Sequence, residues 1–398
     1  MGRKPLSDVE KESKPVAKSA KTQSLSKLFL SKTKIKDFEM AATLDQSKLS
    51  NISEWISTGS FALNRIISGS YKKGLPRGRI VALAGSSGVG KSFICGNCLR
   101  EAQKAGYTCV VFDSENAIDN DFLTRIGVDV SEVIHVPINT INELKFKATQ
   151  MMREFTALDP EAKLFFMVDS LGGLLTEKEF NDQIENNNTA MDMGLRAKQL
   201  RTLAKVLTHE VARTKSIMIV TNHTYEQAAS NPQAAPTIKM GGGEGFIYAT
   251  SAILFLKKSI EKEEGENLDT KKKEKQVKGV ILKANTEKNR FIPQGAKGEI
   301  YVSFEKGVNR WYGMLGDALE FGLIKVESQG WYTLPDGKKI RKKELYKAEV
   351  WKPILDQLNE HVENKYKFIS YTDVDEISDD VDDTDDSETS SDSDGEES

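Results

Sequence analysis

Ile80-Val-Ala-Leu-Ala84 followed by Gly85-Ser-Ser-Gly-Val-Gly-Lys-Ser92 is the stretch whose reading decides the fold. A short apolar run ends in glycine, the chain turns, and Phe93-Ile94-Cys95 opens a helical pattern. The spacing is G-x-x-x-x-G-K-[ST] with a strand before it and a helix after it, which is the setting a phosphate-binding loop needs. Gly85, Gly88 and Gly90 permit backbone angles and a close approach to a ligand that a Cβ would forbid. The N–H groups from Gly85 through Ser86, Ser87, Gly88, Val89 and Gly90, together with the helix N-terminus, form a positive cradle for phosphate oxygens. Lys91 supplies a point charge to the outer phosphates, the Ser92 hydroxyl is the kind of ligand Mg²⁺ takes, and Phe93 closes the cofactor-binding stretch.

Two more apolar runs end in acids. Leu164-Phe-Phe-Met-Val-Asp169 reads as a fully buried strand with a carboxylate at its end. An unpaired carboxylate there is costly without a cation, so Asp169 is the candidate to hold Mg²⁺ beside the phosphate loop. Thr108-Cys-Val-Val-Phe-Asp113 is the other, and it runs into Ser114-Glu115-Asn116-Ala117-Ile118-Asp119. Strand C-terminal ends line the ligand crevice of an open parallel sheet, so Glu115 is placed to meet a nucleotide. From the residues alone it is equally a general base for water or a carboxylate at a helix N-terminus. A third buried strand, Ser216 to Asn222, ends in the polar pair Asn222-His223 at the same edge. His135, within the short strand Val133-Ile-His-Val136, reads as structural.

Around this framework, Ser60 is placed to cap a helix carrying Leu63, Ile66 and Ile67 on one face. Helices are expected over 93–105, over Ile141 to Phe155, and over a long stretch with Leu195, Leu200, Leu203, Leu207 and Val211 on one stripe. Glu177–Thr189, polar and rich in Asn, reads as a mobile loop at the ligand edge. Thr224–Glu244, with Pro232, Pro236 and Gly241-Gly-Gly243, reads as a long structureless loop carrying Lys239, the type that orders on a partner. Strands are expected over Ala249 to Lys257, Lys278 to Ala284 and Gly298 to Phe304, with Glu261–Lys275 a charged, solvated hairpin loop. Leu315 to Ile324 reads as a helix, Trp331 to Leu334 as a strand and Glu344 to Tyr366 as a last helix, together a small appendage. Its basic run Lys338 to Lys343 reads either as a nucleic-acid contact or as an exposed turn.

The chain has 398 residues and a formal net charge of −3. Fourteen Asp and Glu, with no Lys or Arg, fall between Asp373 and Ser398, which leaves +11 on residues 1–372. A basic body with an acidic tail points to a polyanion-binding protein carrying its own competitor, or simply to a solvating tail. Residues 1–36 are rich in Lys, Ser and Thr and read as a disordered basic arm, with a short amphipathic helix over Ser24 to Leu30 that packs on its own body or on a neighbour. Cys95, Cys98 and Cys109 lack partners for a disulfide framework or a zinc site and read as packing residues. No apolar run has membrane-spanning length and no signal sequence opens the chain, so a cytoplasmic protein is expected.

The ordered set Gly-x4-Gly-Lys-Ser, Phe-Asp-Ser-Glu-Asn-Ala-Ile-Asp, Val-Asp-Ser-Leu-Gly-Gly-Leu, Thr-Asn-His-Thr-Tyr-Glu and Met-Gly-Gly-Gly resembles that of RecA-type recombinases, most of all their members from T-even phages, over residues 57–370. The resemblance implies an α/β fold: a RecA-type P-loop NTPase core with a mixed, mainly parallel sheet over 57–310. Before it come the arm over 1–36 and a helical, oligomer-forming segment over 37–56. After it come a small α+β domain over 311–372 and the acidic tail over 373–398, a brake on duplex binding in family members. It implies a DNA-dependent ATPase that uses ATP and Mg²⁺, forms a homo-oligomeric filament on single-stranded DNA with ATP at subunit interfaces, and pairs that strand with homologous duplex. A recombination mediator and a single-strand-binding protein are the implied helpers, and no membrane is involved.

The same resemblance makes Glu115 the catalytic carboxylate and His223 the contact to the terminal phosphate. It sets Asp119 and Phe122 on the adenine. It also makes Lys288 and Arg290 two cations that reach across to a neighbour's ATP. The stretches near 175–190 and 225–243 become the DNA-binding loops, with Lys239, Gly241, Gly242 and Gly243 in the second. Two alternatives share the core: a hexameric RecA-fold helicase, which would form closed rings, and a nucleotide-gated mediator or paralogue with little catalysis.

Overall fold

The computed structural model describes residues 25–32, 42–47, 49–185, 192–227, 237–241, 243–266 and 273–367. The chain divides into two units, Met1–Ile52 and Ser53–Ser398. In the first, Leu25–Lys32 is a helix and Leu44–Gln46 a single 3-10 turn, with the Ser50 hydroxyl donating to the Leu44 and Ser47 carbonyls. That turn and the strand Trp55–Ile56 are the regular structure among the described residues of the 37–56 segment. The acidic tail and the basic arm up to residue 24 lie outside the described residues.

The second unit is built on one nine-stranded sheet. Its strands are β1 (Arg79–Ala84), β2 (Thr108–Asp113), β3 (Val133–Pro137), β4 (Leu164–Asp169), β5 (Ile217–Asn222), β6 (Ala252–Glu266), β7 (Lys273–Asn289), β8 (Lys297–Ser303) and β9 (Gly307–Val308). The order across the sheet is β9-β8-β7-β6-β1-β5-β4-β2-β3. From β6 to β3 all neighbours run parallel, and β7, β8 and β9 add as an antiparallel meander. The expected mixed, mainly parallel sheet is therefore present.

Strand side chains alternate between faces, and two cores follow that alternation. Val81, Leu83, Cys109, Val111, Phe165, Met167, Ile217 and Ile219 pack with Ile94, Cys95, Cys98 and Leu99 of helix Lys91–Lys104. Ile80, Ala82, Val110, Phe112, Phe166, Val168, Met218 and Val220 pack under helices Ile141–Leu158 and Met193–Arg213. All three cysteines are fully buried and unpaired, as packing residues would be. Burial pushes their thiols up, that of Cys109 to about 12, so they stay protonated. Ser60 caps helix Phe61–Ser68 by accepting the Leu63 N–H, as its position in the sequence suggests.

A third core joins Phe61 and Tyr71 to Met314, Ala318, Ile340, Trp351, Leu358 and Val362. Arg65 lies beside Asp317 at 3.1 Å and donates to the Tyr366 hydroxyl at 2.8 Å, and Tyr71 donates to Asp317. Among the described residues no helix is long and apolar enough to cross a membrane.

Several expectations need correction. Glu177–Ile184 is a helix rather than a loop, started by a capping box between Thr176 and Glu179. Residues 186–191, the Asn-rich remainder of that stretch, lie outside the described residues. Thr224–Gln227 and Thr237–Met240 pair as an antiparallel hairpin, and Gly243–Ala249 is a helix, so 224–244 is not structureless. The ladder between β6 and β7 continues to the pair Glu266 and Lys273, because backbone pairing proceeds regardless of the charged side chains. The last helix is broken into a 3-10 turn Lys342–Tyr346 and helices Ala348–Trp351 and Leu355–Lys365. Pro353 sits in the second break, where its missing N–H ends a ladder. The helix from Leu315 stops at Glu320.

Candidate functional site

Because β1, β5, β4 and β2 are parallel and in register, Ala84 lies beside Asn222 and Asp113 beside Asp169 at one edge of the sheet. The residues singled out from four separate sequence runs thereby meet. Gly85 opens the phosphate loop by donating to the Asn222 carbonyl at 3.2 Å. A Cβ on Gly85 would stand 2.8 Å from the Leu256 carbonyl oxygen and 2.9 Å from Val89 Cγ1, so the loop follows its path only with glycine there. Gly90, at φ 103°, occupies the left-handed region just ahead of helix Lys91–Lys104. Ser86, Ser87 and Gly88 are exposed, Val89 is buried as the loop's anchor, and Ser92 is exposed in the first helical turn.

Lys91 Nζ donates to the carbonyls of Gly85 and Ser86, each at 2.9 Å. Burial lowers its pKa, while the carboxylates of Asp169 and Glu115 oppose that fall. Asp169 is 4 % exposed; one carboxylate oxygen accepts from the Thr221 hydroxyl, while Oδ2 is buried with no hydrogen-bond partner. An orphaned carboxylate oxygen beside a phosphate loop fits a cation or its bound water, and an exposed Ser92 hydroxyl completes a hard-oxygen donor set of the kind Mg²⁺ takes.

Glu115 lies just past the end of β2. Asp113 Oδ1 accepts its N–H at 3.0 Å, and its Oε1 accepts the Ser170 hydroxyl at 2.5 Å and meets His223 Nε2 at 3.0 Å. The Ser170 bond, then His223 and Lys91, hold its carboxyl below the usual range. His223 follows β5 directly, and Asn222 ties that strand end to the hairpin: its amide donates to the Gly241 carbonyl at 2.7 Å, and Gly241 N–H donates to the His223 carbonyl at 2.9 Å. His135 points at Asp113 Oδ2 at 3.3 Å and so braces the loop that bears Glu115.

Asp119 caps the short helix Asn120–Arg125 by accepting the Asp121 N–H, and Phe122 on that helix packs against Phe93 with ring centres 5.2 Å apart. Lys239 is exposed and sits opposite exposed Tyr225 in the hairpin. Gly241 follows the hairpin, Gly243 starts the next helix, and Gly242 lies outside the described residues. Ser114, Ser170, Thr221 and Tyr225 were not singled out from the sequence. Ser114, Ser170 and Thr221 each stood next to a residue that was, at the end of a buried strand, and that adjacency was the available signal; Tyr225 lies in the exposed hairpin strand and had none.

Lys288 and Arg290 are not part of this cluster. Lys288 pairs with Ile253, whose other neighbour is Ala82, and Arg290 N–H donates to the Ser251 carbonyl. Lys288 Nζ donates to the Ile247 and Tyr248 carbonyls at 2.7 and 3.1 Å, and Arg290 to that of Tyr248 at 2.7 Å. Both cations therefore gather at the C-terminus of helix Gly243–Ala249, toward the start of β1. Burial, then Arg290, brings the Lys288 pKa down to about 8.

The model of the RecA N-terminal domain family matches residues 31–309. The chain belongs to the RecA family. It is 27 % identical over 319 residues to a recombination and repair protein of Enterobacteria phage T4, covering 78 % of this chain and 76 % of that one. It is 28 % identical over 289 residues to the RecA protein of Bacteroides thetaiotaomicron, covering 72 % and 79 %, and 25 % identical over 332 residues to a chromosomal RecA of Lactococcus lactis, covering 82 % and 79 %. RecA-family recombinases are in general DNA-dependent ATPases that bind ATP with Mg²⁺, bind DNA and form filaments.

Proposed function

We infer that this chain is an ATP-dependent DNA recombinase that assembles as a head-to-tail filament on single-stranded DNA and catalyses pairing and strand exchange with homologous duplex. The observation that carries the reading is the separation of two halves of one phosphoryl-transfer site. Lys91, Ser92, Asp169, Glu115 and His223 converge at one edge of the sheet, whereas Lys288 and Arg290 stand toward the other. In a filament the cations of one protomer serve the nucleotide of the next.

Lys91 and the loop N–H groups bind the phosphates of ATP, and Ser92 and Asp169 would hold Mg²⁺, which would supply charge neutralisation at the phosphate oxygens. Glu115 accepts a proton from water and orients it toward the terminal phosphate. Lys288 and Arg290 of the neighbouring protomer stabilise charge that develops during transfer. Phe122 and Asp119 meet the adenine, with Phe93 packed behind Phe122. His223 senses the terminal phosphate, and the bonds from Asn222 and His223 to Gly241 pass its position to the hairpin. Lys239 and Tyr225 on the hairpin's exposed face, with Gly241, Gly242 and Gly243, grip the strand by charge and stacking. Base pairing between strands reads sequence.

The domain plan expected from the sequence fits this reading: core over 57–310, small domain over 311–372 and tail over 373–398. So do a cytoplasmic location and helper proteins of the mediator and single-strand-binding types. The test is ATP turnover with and without single-stranded DNA, alongside strand exchange. Lys91→Ala is expected to abolish turnover, and Glu115→Gln to slow it while retaining ATP-dependent DNA binding. Wild-type turnover by Glu115→Gln would remove the base assignment, and a protein indifferent to DNA in both assays would remove the recombinase reading.

A further inference from the structure

We propose that Ser170, braced by Ser114, is the residue that positions the Glu115 carboxylate for hydrolysis. The inference rests on the reading of Glu115 as general base and adds how that base is held. Glu115 sits on a loop, and its side chain is 37 % exposed. A glutamate so placed loses rotamer freedom only at an entropic cost, and some contact must supply it. Base catalysis depends on that loss, since the carboxylate has to stand in one place relative to the attacked phosphorus.

Ser170 is the buried partner. It is 1 % exposed and donates its hydroxyl to Glu115 Oε1 at 2.5 Å. A hydroxyl bound to a carboxylate is among the stronger hydrogen bonds a side chain makes. Ser170 is itself fixed by its neighbour strand. Ser114 Oγ accepts the Ser170 N–H at 2.9 Å and donates to the Ser170 carbonyl at 2.7 Å, so one side chain satisfies both polar atoms of that residue's backbone. Ser114 N–H donates in turn to the Asp169 carbonyl at 2.9 Å. The chain leaving Ser170 closes on the same group: a Cβ on Gly173 would lie 2.7 Å from Ser114 Oγ and 3.4 Å from Glu115 Cγ.

The two serines thus join the end of the strand bearing Asp169 to the end of the strand bearing Glu115. His223 approaches Oε1 from the third strand at 3.0 Å. His223 is 41 % exposed at its side chain, so Ser170 is the partner shielded from water. On the proposed reading the metal-holding and water-activating carboxylates stand at and just beyond the ends of adjacent strands, and this bracket sets the distance between them.

The experiment measures kcat and KM for ATP on single-stranded DNA for the full chain, for Ser170→Ala, Ser170→Thr and Glu115→Gln, and for the Ser170→Ala/Glu115→Gln pair. Ser170→Ala is expected to lower kcat by about tenfold or more while KM stays within about twofold, as for a misplaced catalytic group. Ser170→Thr, which keeps the hydroxyl, recovers most of the loss. In the Glu115→Gln background Ser170→Ala costs nothing further, because the residue acts through the carboxylate. Ser114→Ala, which leaves the Ser170 hydroxyl intact, gives a smaller fall in kcat with the same non-additivity, and stands in should Ser170→Ala fold poorly. Equal losses in both backgrounds, or an unchanged kcat in Ser170→Ala, overturn the positioning role and leave the base assignment standing. Wild-type turnover by Glu115→Gln overturns the base assignment and the inference with it.

Discussion

Mixing two crippled proteins tests whether the catalytic site is shared between protomers. Lys288 faces Ile253, which is level with Ala82 in β1, while the phosphate loop begins at Gly85. Three residues of strand separate those levels, about 10 Å at the usual rise. The Lys288 amine points further away, to the Ile247 and Tyr248 carbonyls. On the proposed reading it serves a neighbour's nucleotide. Lys288→Ala removes a preorganised cation and is expected to lower turnover about a hundredfold. Glu115→Gln is expected to bind ATP and assemble while hydrolysing only slowly. In an equal random mixture, a working site needs Glu115 from a Lys288→Ala protomer and Lys288 from a Glu115→Gln neighbour. Each condition holds half the time, so turnover rises to about a quarter of wild type in a head-to-tail assembly. The assay is phosphate release on single-stranded DNA at constant total protein. A mixture no faster than the mean of its parents would refute the shared site.

Other consequences follow from single contacts. Lys288 is lowered to about 8, so it loses its charge as pH rises through that value. The alkaline limb of kcat/KM should fall near there, and Lys288→Arg, which stays charged, should remove it. The folded state binds fewer protons than the unfolded one between about 8 and the ordinary lysine value, so this residue's effect on stability runs opposite, favouring folding as pH climbs through that window. Gly85→Ala places a methyl group 2.8 Å from the Leu256 carbonyl oxygen. Overpacking of that kind should cost about 1–3 kcal/mol in urea unfolding and weaken ATP binding in a filter or fluorescence assay. Arg65→Met leaves Asp317 buried without its cation and should cost about 3–5 kcal/mol by the same unfolding measurement.

What could be read from the residues was whatever is local. The phosphate loop, its strand and its helix fall within one short stretch, and the apolar runs ending in Asp113, Asp169 and Asn222 announce buried parallel strands by composition. The capping box at Thr176 and Glu179 was equally local, yet the polar surroundings of the helix it starts masked it. The hairpin at Thr224–Gln227 and Thr237–Met240 lacks a buried apolar face, since six of its eight residues are half-buried or exposed polar side chains or Tyr225, and periodicity had nothing to report. The bond from Ser170 to Glu115 spans 55 residues and depends on which strands become neighbours. Spacing along the chain carries no record of that choice. Lys288 and Arg290 were found by family likeness alone, because the register that sets them away from the loop exists only once β6 and β7 have paired.

That register has a consequence for how copies can join. A protomer with a loop toward one rim of its sheet and a cation pair toward the other is like a link with a hook and an eye. Twofold pairing would bring hook to hook, whereas stacking in one direction can continue without limit. Any such row has two unlike tips, and at one of them the last bound nucleotide meets no lysine from beyond. If the cations serve the neighbour as proposed, turnover stalls at that tip, and the row is expected to gain and shed members at different rates from its two extremities.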